Sequence, residues 1–337
     1  MNLLIRSVRV VNSNPDLQDK KVDIYIENGI YSKIADTIST AVCKEDTEVF
    51  NAAGNYISIG WFDMHVNFRE PGFEQKENIV SGQLAAASSG FTGVALMPSV
   101  NPVLQTRADI EFVMLKSKGR ITDVFPMGAL TVNTDGKELT EMYDMKLGGA
   151  IAFTDDKRTI QNSGVMSRAM QYVQQIGSRL LVYCDDTGLT GETNANESLN
   201  TLVLGLKGAP SIAEEISIER DLSLCRYNGS GLHFTGVSTK EAIGKIRDAK
   251  KNGMPITCEV AVHHLVLTDE SLEEFDTNYK VKPPLRSKED VVALRVALSD
   301  GTIDVITSDH SPEDKESKQV EWDFAAYGII GDRKSVV

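Results

Sequence analysis

From Tyr56 onward the chain repeats one pattern, a short apolar run followed by an amphipathic stretch, at a period of roughly 30 residues, the size of a βα unit. The apolar runs are Ile57–Val66, Phe91–Met97, Val124–Leu130, Gly149–Phe153, Leu180–Cys184, Leu232–Val237, Ile256–Val262 and Ile303–Thr307. Between most of them lie stretches with helical spacing: Glu77–Ser88, Lys137–Leu147, Ser163–Gln175, Ile212–Arg226, Lys240–Lys251 and Lys288–Leu298. Several end at a glycine (Gly90, Gly148, Gly177, Gly229, Gly253), the residue that most readily takes the left-handed turn after a helix. Near-continuous apolar strands that alternate with helices predict a parallel (β/α)8 TIM barrel, because such strands are buried on both faces. A doubly wound open sheet fits less well, since no GxGxxG follows an early strand.

Residues 1–55 lie outside the repeat. Leu3–Val11 and Val22–Ile26 alternate, and Glu48–Phe50 is a further short apolar run, so a small β-element is expected that is too small to form a core alone. The expected division is therefore 1–55 as part of a small β-sandwich domain and 56–331 as the barrel. After the eighth run no closing helix follows, and the last six residues continue no pattern. The C-terminus accordingly reads as truncated, with 332–337 a non-native tail.

The net charge of −13 disfavours phosphate backbones, so nucleic acid is not an expected partner. No run approaches the ~20 apolar residues of a membrane helix, and membrane partners are not expected. Cys43, Cys184, Cys225 and Cys258 are scattered with no CxxC pair, as in a reduced, cytoplasmic protein rather than a disulfide framework.

In a TIM barrel the chemistry sits at the C-terminal ends of the strands. There the chain places Asp63, His65, Asn67 and Arg69, then Asp155-Asp156, Asp185-Asp186, His263-His264 and Asp309-His310. Residues two apart on a strand share a face, so Asp63, His65 and Asn67 point together into the mouth. Histidine and carboxylates converging there suggest a divalent metal that activates water for hydrolysis.

These residues also form recognisable strings. Asp63-Met-His-Val-Asn-Phe-Arg-Glu-Pro-Gly72 resembles the D-x-H-V-H-x-R-E-P-G signature of the dihydroorotases, in the amidohydrolase superfamily. Gly90–Pro98, Ala152–Asp156, Val237–Glu241, His263–Glu270, Pro283–Asp290 and Thr307–Pro312 resemble further family segments in order. The resemblance implies a zinc-dependent barrel that interconverts N-carbamoyl-L-aspartate and dihydroorotate in pyrimidine synthesis, with a small-molecule substrate and a homo-oligomeric state. The family site holds two metals bridged by an acidic residue or a carboxylated lysine. Histidines on strands one, five and six are ligands, and the strand-eight aspartate both binds metal and moves the proton.

Carried over position by position, His65 matches the first ligand and Asp309 the strand-eight acid. One of Asp155 and Asp156 matches the bridge, with Asp156 preferred. The other three ligand positions carry Asn67, Tyr183 and Gly236, and five histidines in the whole chain leave none free to replace the lost imidazoles. His233, three residues before Gly236, is expected to face the other side of its strand. On the substrate side Arg69 is retained as a carboxylate fork. The family's polar residues are Ser99, Lys282 and Glu313 here, and the backbone contact region near Tyr327-Gly328 remains. At most one zinc ion, on His65, Asp156 and Asp309, is expected. The resemblance thus implies a catalytically impaired protein or a non-catalytic partner of aspartate carbamoyltransferase. The alternative is an active cyclic amide hydrolase with a mononuclear site.

Overall fold

The computed structural model describes residues 1–12 and 14–331, and the expected tail 332–337 lies outside the described residues. The chain divides into two compact units, Met1–Trp61 and Phe62–Val337.

The first unit is one mixed sheet of strands β1 (Leu3–Val11), β2 (Lys21–Glu27), β3 (Ile30–Ala35), β4 (Glu48–Asn51) and β5 (Tyr56–Ser58). β1 is its centre, antiparallel to β2 and parallel to both β4 and β5. A bulge between Ile5 and Val8 interrupts the β1–β2 register, where Ser7 takes a positive φ of 57° and donates its N–H to Asp23. On either side of the bulge the sheet buries different groups, Leu4 with Tyr25 and Ile38, and Val8 and Val10 with Val22, Ile24 and Ala52.

The second unit is a closed ring of strands. β6 (Trp61–Val66), β7 (Phe91–Leu96) and β8 (Asp123–Pro126) are neighbours in that order. β9 (Leu181–Tyr183) is separated in sequence from its parallel partner β12 (Leu232–Thr235) by the small pair β10 (Ala195–Asn196) and β11 (Gly208–Ala209). β13 (Ile256–Ala261) and β14 (Val305–Thr307) continue the parallel order. Single bridges complete the ring: Gly128 to Phe153, Phe153 to Leu180, and Val66 to His310. The fourth position is thus filled by Phe153 alone rather than by a strand over Gly149–Phe153. Gly149 is instead the left-handed cap of the preceding helix, with φ 113°, which removes the start of that run from extended geometry. The first expected strand, Ile57–Val66, is two strands, β5 and β6.

The helices are α1 (Ile79–Ser88), α2 (Arg107–Ser117), α3 (Met142–Gly148), α4 (Ser163–Gln175), α5 (Thr187–Thr190), α6 (Leu199–Val203), α7 (Ile212–Asn228), α8 (Lys240–Lys251), α9 (Lys288–Ser299) and α10 (Lys315–Lys318). Many begin at a side chain that accepts an otherwise unpaired N–H: Asn78, Thr106, Thr239 and Ser287 cap α1, α2, α8 and α9. Strand parity divides the core. Val94 and Leu96 point outward and join the layer that includes Ile110, Val113, Ile243 and Leu294. Ala95 and Met97 point inward and pack with Met127, Ala152 and Leu181 inside the barrel.

Candidate active site

Asp63 anchors the mouth without facing it. Its carboxylate accepts the N–H of His65 at 3.0 Å and that of Ser308 at 3.2 Å, tying β6 to the end of β14. His65 is buried and uses both ring nitrogens, Nδ1 at 2.7 Å from Glu259 and Nε2 at 3.1 Å from Asp156. Burial opposes a charge on this imidazole. The Glu259 and Asp156 carboxylates outweigh that and hold its pKa well above the ordinary value. Burial would likewise raise Asp156, yet His65 and then Lys157 hold it below the usual carboxylate range.

The adjacent acids do different things. Asp155 accepts the N–H groups of Leu130 and Thr131, both at 2.9 Å, and the Thr131 hydroxyl, so it braces the loop after β8. Burial lifts its carboxyl to about 6 against those bonds. Asp156 is the member that reaches His65. Asp156 and Asp309 both sit at left-handed backbone, φ 54° and 51°, a conformation that costs non-glycine residues energy and recurs at functional sites.

Asp309 lies 3.7 Å from His65 Nε2, but its nearest partner is Lys157, whose Nζ is 2.6 Å from Oδ1 and 2.7 Å from Oδ2. His263 stands 3.9 Å from the same carboxylate, and neither of its ring nitrogens has a hydrogen-bond partner. Burial, and then the Lys157 charge, push its pKa down to about 3. His233 corrects the parity expectation. It faces the barrel interior, donating to or accepting from Thr257 at 2.8 Å and Glu259 at 3.3 Å. β12 ends at Thr235 and Gly236 turns at φ 61°, so alternation does not carry across to position 236.

Asn67, Tyr183 and Gly236 each have close neighbours. The Asn67 amide donates to the Ser99 carbonyl at 3.3 Å and its oxygen accepts the Arg69 N–H at 3.1 Å. A Cβ on Gly236 would meet Pro283 at 3.3 Å and the Tyr183 ring at 3.7 Å, so these groups occupy the space beside it. Burial, followed by Asp185, drives the Tyr183 phenol well above its ordinary pKa and keeps it protonated. Among the described residues no group of three or more His, Cys, Asp or Glu is arranged to hold a metal ion. The residues present do not fit a binuclear centre.

Arg69 also turns inward. Its Nε donates to the Pro312 carbonyl at 2.9 Å, and Nη2 donates to Ser311 Oγ and to Glu313 Oε1, both at 2.7 Å. Lys76 holds the other Glu313 oxygen at 2.5 Å. Gly328 packs where a Cβ would lie 2.2 Å from the Ser311 carbonyl oxygen, so only glycine fits beside this cluster. Lys282 and Tyr327 line a cavity of about 640 Å³ with Tyr183, Asp185, Lys280 and Arg286. Lys282 Nζ sits 5.4 Å above the Tyr183 ring, and the Tyr327 hydroxyl donates to the Thr193 carbonyl at 3.1 Å. Sequence reasoning singled out neither Lys157, Lys76 nor Glu259. The available signal was a lysine directly after the acidic pair of the fourth unit.

Among the described residues no helix is long and apolar enough to cross a membrane. A profile of the Dihydro-orotase-like family matches residues 54–242. The dihydroorotase of Pelotomaculum thermopropionicum is 43% identical over 331 residues, covering 98% of this chain and 76% of that protein. That of Ruminiclostridium cellulolyticum is 42% identical over 332 residues, with 98% and 76% covered. Among solved structures, L-hydantoinase (dihydropyrimidinase) from Arthrobacter aurescens superposes with a TM-score of 0.84 at 22% identity, covering 99% of this chain and 75% of that one. D-hydantoinase from a Thermus species gives 0.80 at 21%, with 98% and 74% covered. These two likenesses concern the fold, a TIM barrel of the amidohydrolase type. With the ordered strand-end residues and the sequence identity taken together, this chain belongs to the dihydroorotase family of the amidohydrolase superfamily.

Proposed function

We propose that this protein is a dihydroorotase-family member of pyrimidine biosynthesis that does not turn over dihydroorotate and works by association, with aspartate carbamoyltransferase as its partner. The observation that carries it is the filled position beside Gly236, where Pro283 and the Tyr183 ring stand and no imidazole takes over. A neutral, buried phenol and an engaged amide at Tyr183 and Asn67 supply no replacement ligands.

A second reading, a mononuclear-metal cyclic amide hydrolase, is favoured by the convergence of His65, Asp156 and Asp309 at one point. Dihydroorotate hydrolysis by the full-length protein with zinc supplied, beside an intact dihydroorotase as positive control, separates the two. No turnover is expected. Turnover abolished by Asp309→Ala would establish the second reading instead. Co-elution with the aspartate carbamoyltransferase of the same cell is expected in size-exclusion chromatography, and separate elution would remove that partner.

A further inference from the structure

Two ion pairs of opposite sense stand in this mouth. A buried carboxylate, Asp309, has an ammonium against both of its oxygens, and a largely buried guanidinium, Arg69, has a carboxylate against its Nη2. The Asp309 side chain is 5% exposed and the Lys157 side chain 21%, so the pair is shielded from bulk water. Glu313 is equally enclosed and is held from both sides by Arg69 and Lys76. A buried carboxylate needs a cation, and a buried guanidinium needs an anion, because desolvation penalises either charge alone.

We infer that Lys157 and Glu313 are built-in counter-ions that stand where a metal ion and an anionic ligand would otherwise be required, so that Asp309 and Arg69 each already hold an opposite charge. The inference deepens the non-catalytic reading and rests on it. The ammonium lies at Asp309, and 3.9 Å or less separates that carboxylate from each of His65 and His263. A divalent cation entering there meets a resident positive charge. An anion approaching Arg69 from its Nε–Nη2 edge meets Ser311, Pro312 and Glu313 already in place.

The test is metal content together with a charge cycle. Protein equilibrated with zinc and desalted is expected to retain substoichiometric zinc by elemental analysis, with the same Tm in zinc and in EDTA. Lys157→Met, which keeps the stem and removes the charge, is expected to lower Tm by at least about 5 °C, and Lys157→Met with Asp309→Asn to recover more than half of that loss. A lysine that merely packs would show no such rescue. If Lys157→Met does not fold, folding of the double variant supports the inference and failure of both overturns it. Stoichiometric zinc that disappears in Asp309→Ala overturns the counter-ion role, and without turnover it leaves the non-catalytic reading intact. Turnover by metal-free protein overturns the non-catalytic reading and leaves the counter-ions standing.

Discussion

Arg69 and Glu313 are coupled closely enough to be measured apart from their surroundings. Removing the guanidinium leaves buried Glu313 with Lys76 as its remaining ion pair, so Arg69→Met is expected to cost about 2–3 kcal/mol in urea denaturation. The double variant with Glu313→Gln should regain at least about 1 kcal/mol of that, and strict additivity would show that the two residues do not interact. Much of this residue-scale arrangement was legible. Period-two spacing was expected to bring Asp63, His65 and Asn67 to one mouth, and His65 reaches it while Asp63 is spent on the N–H groups of His65 and Ser308. Lys157 was not legible. A lysine that follows two aspartates at a strand end reads as a solvated cation, and its reach to Asp309 depends on the left-handed turn at Asp156. Arg69 was expected to offer its fork to a ligand, because nothing in the string fixes which way Glu313, 244 residues on, would point.

At the scale of single elements, α9 begins where Ser287 Oγ caps the Asp290 N–H and the Asp290 carboxylate bonds back to Ser287. The same carboxylate accepts the Lys240 N–H at 2.9 Å, which joins the starts of α8 and α9. Ser287→Ala is therefore expected to cost about 1 kcal/mol by chemical denaturation, and an unchanged midpoint would show that the cap is not used. Helices with a clear apolar stripe were read from sequence with their bounds, as α4 and α8 were. α2 was passed over because Phe112, Met114 and Leu115 are exposed while Ile110 and Val113 are buried, which leaves no stripe. β3 was missed for a related reason. Its Ile30, Tyr31 and Ile34 are all exposed, so no alternation marks it. Apolar continuity across Ile59-Gly60 merged β5 with β6, since hydrophobicity alone carries no sign of where a strand ends.

Across the whole molecule the thiols report how tightly it is closed. Cys184, Cys225 and Cys258 are buried and Cys43 is partly exposed. Burial pushes Cys225 and Cys258 up to about 12 and Cys184 well above its ordinary value, so none of the three is an appreciable thiolate at neutral pH. Rapid reaction of a thiol reagent with Cys43 alone is expected in the native protein, and with all four cysteines in denaturant. Fast modification of Cys258 in the native state would show a barrel wall looser than the one described. The counter-charged contacts of Lys157 and Glu313 also bear on descent. Replacing Lys157 alone removes the nearest cation from Asp309, replacing Glu313 alone removes the carboxylate from Arg69, and a side chain at position 236 begins with a Cβ 3.3 Å from Pro283. On the non-catalytic reading proposed above, each single step toward a metal-binding mouth is therefore expected to lower stability before it adds a ligand. On that reading the mouth would act as a ratchet that single substitutions do not reverse.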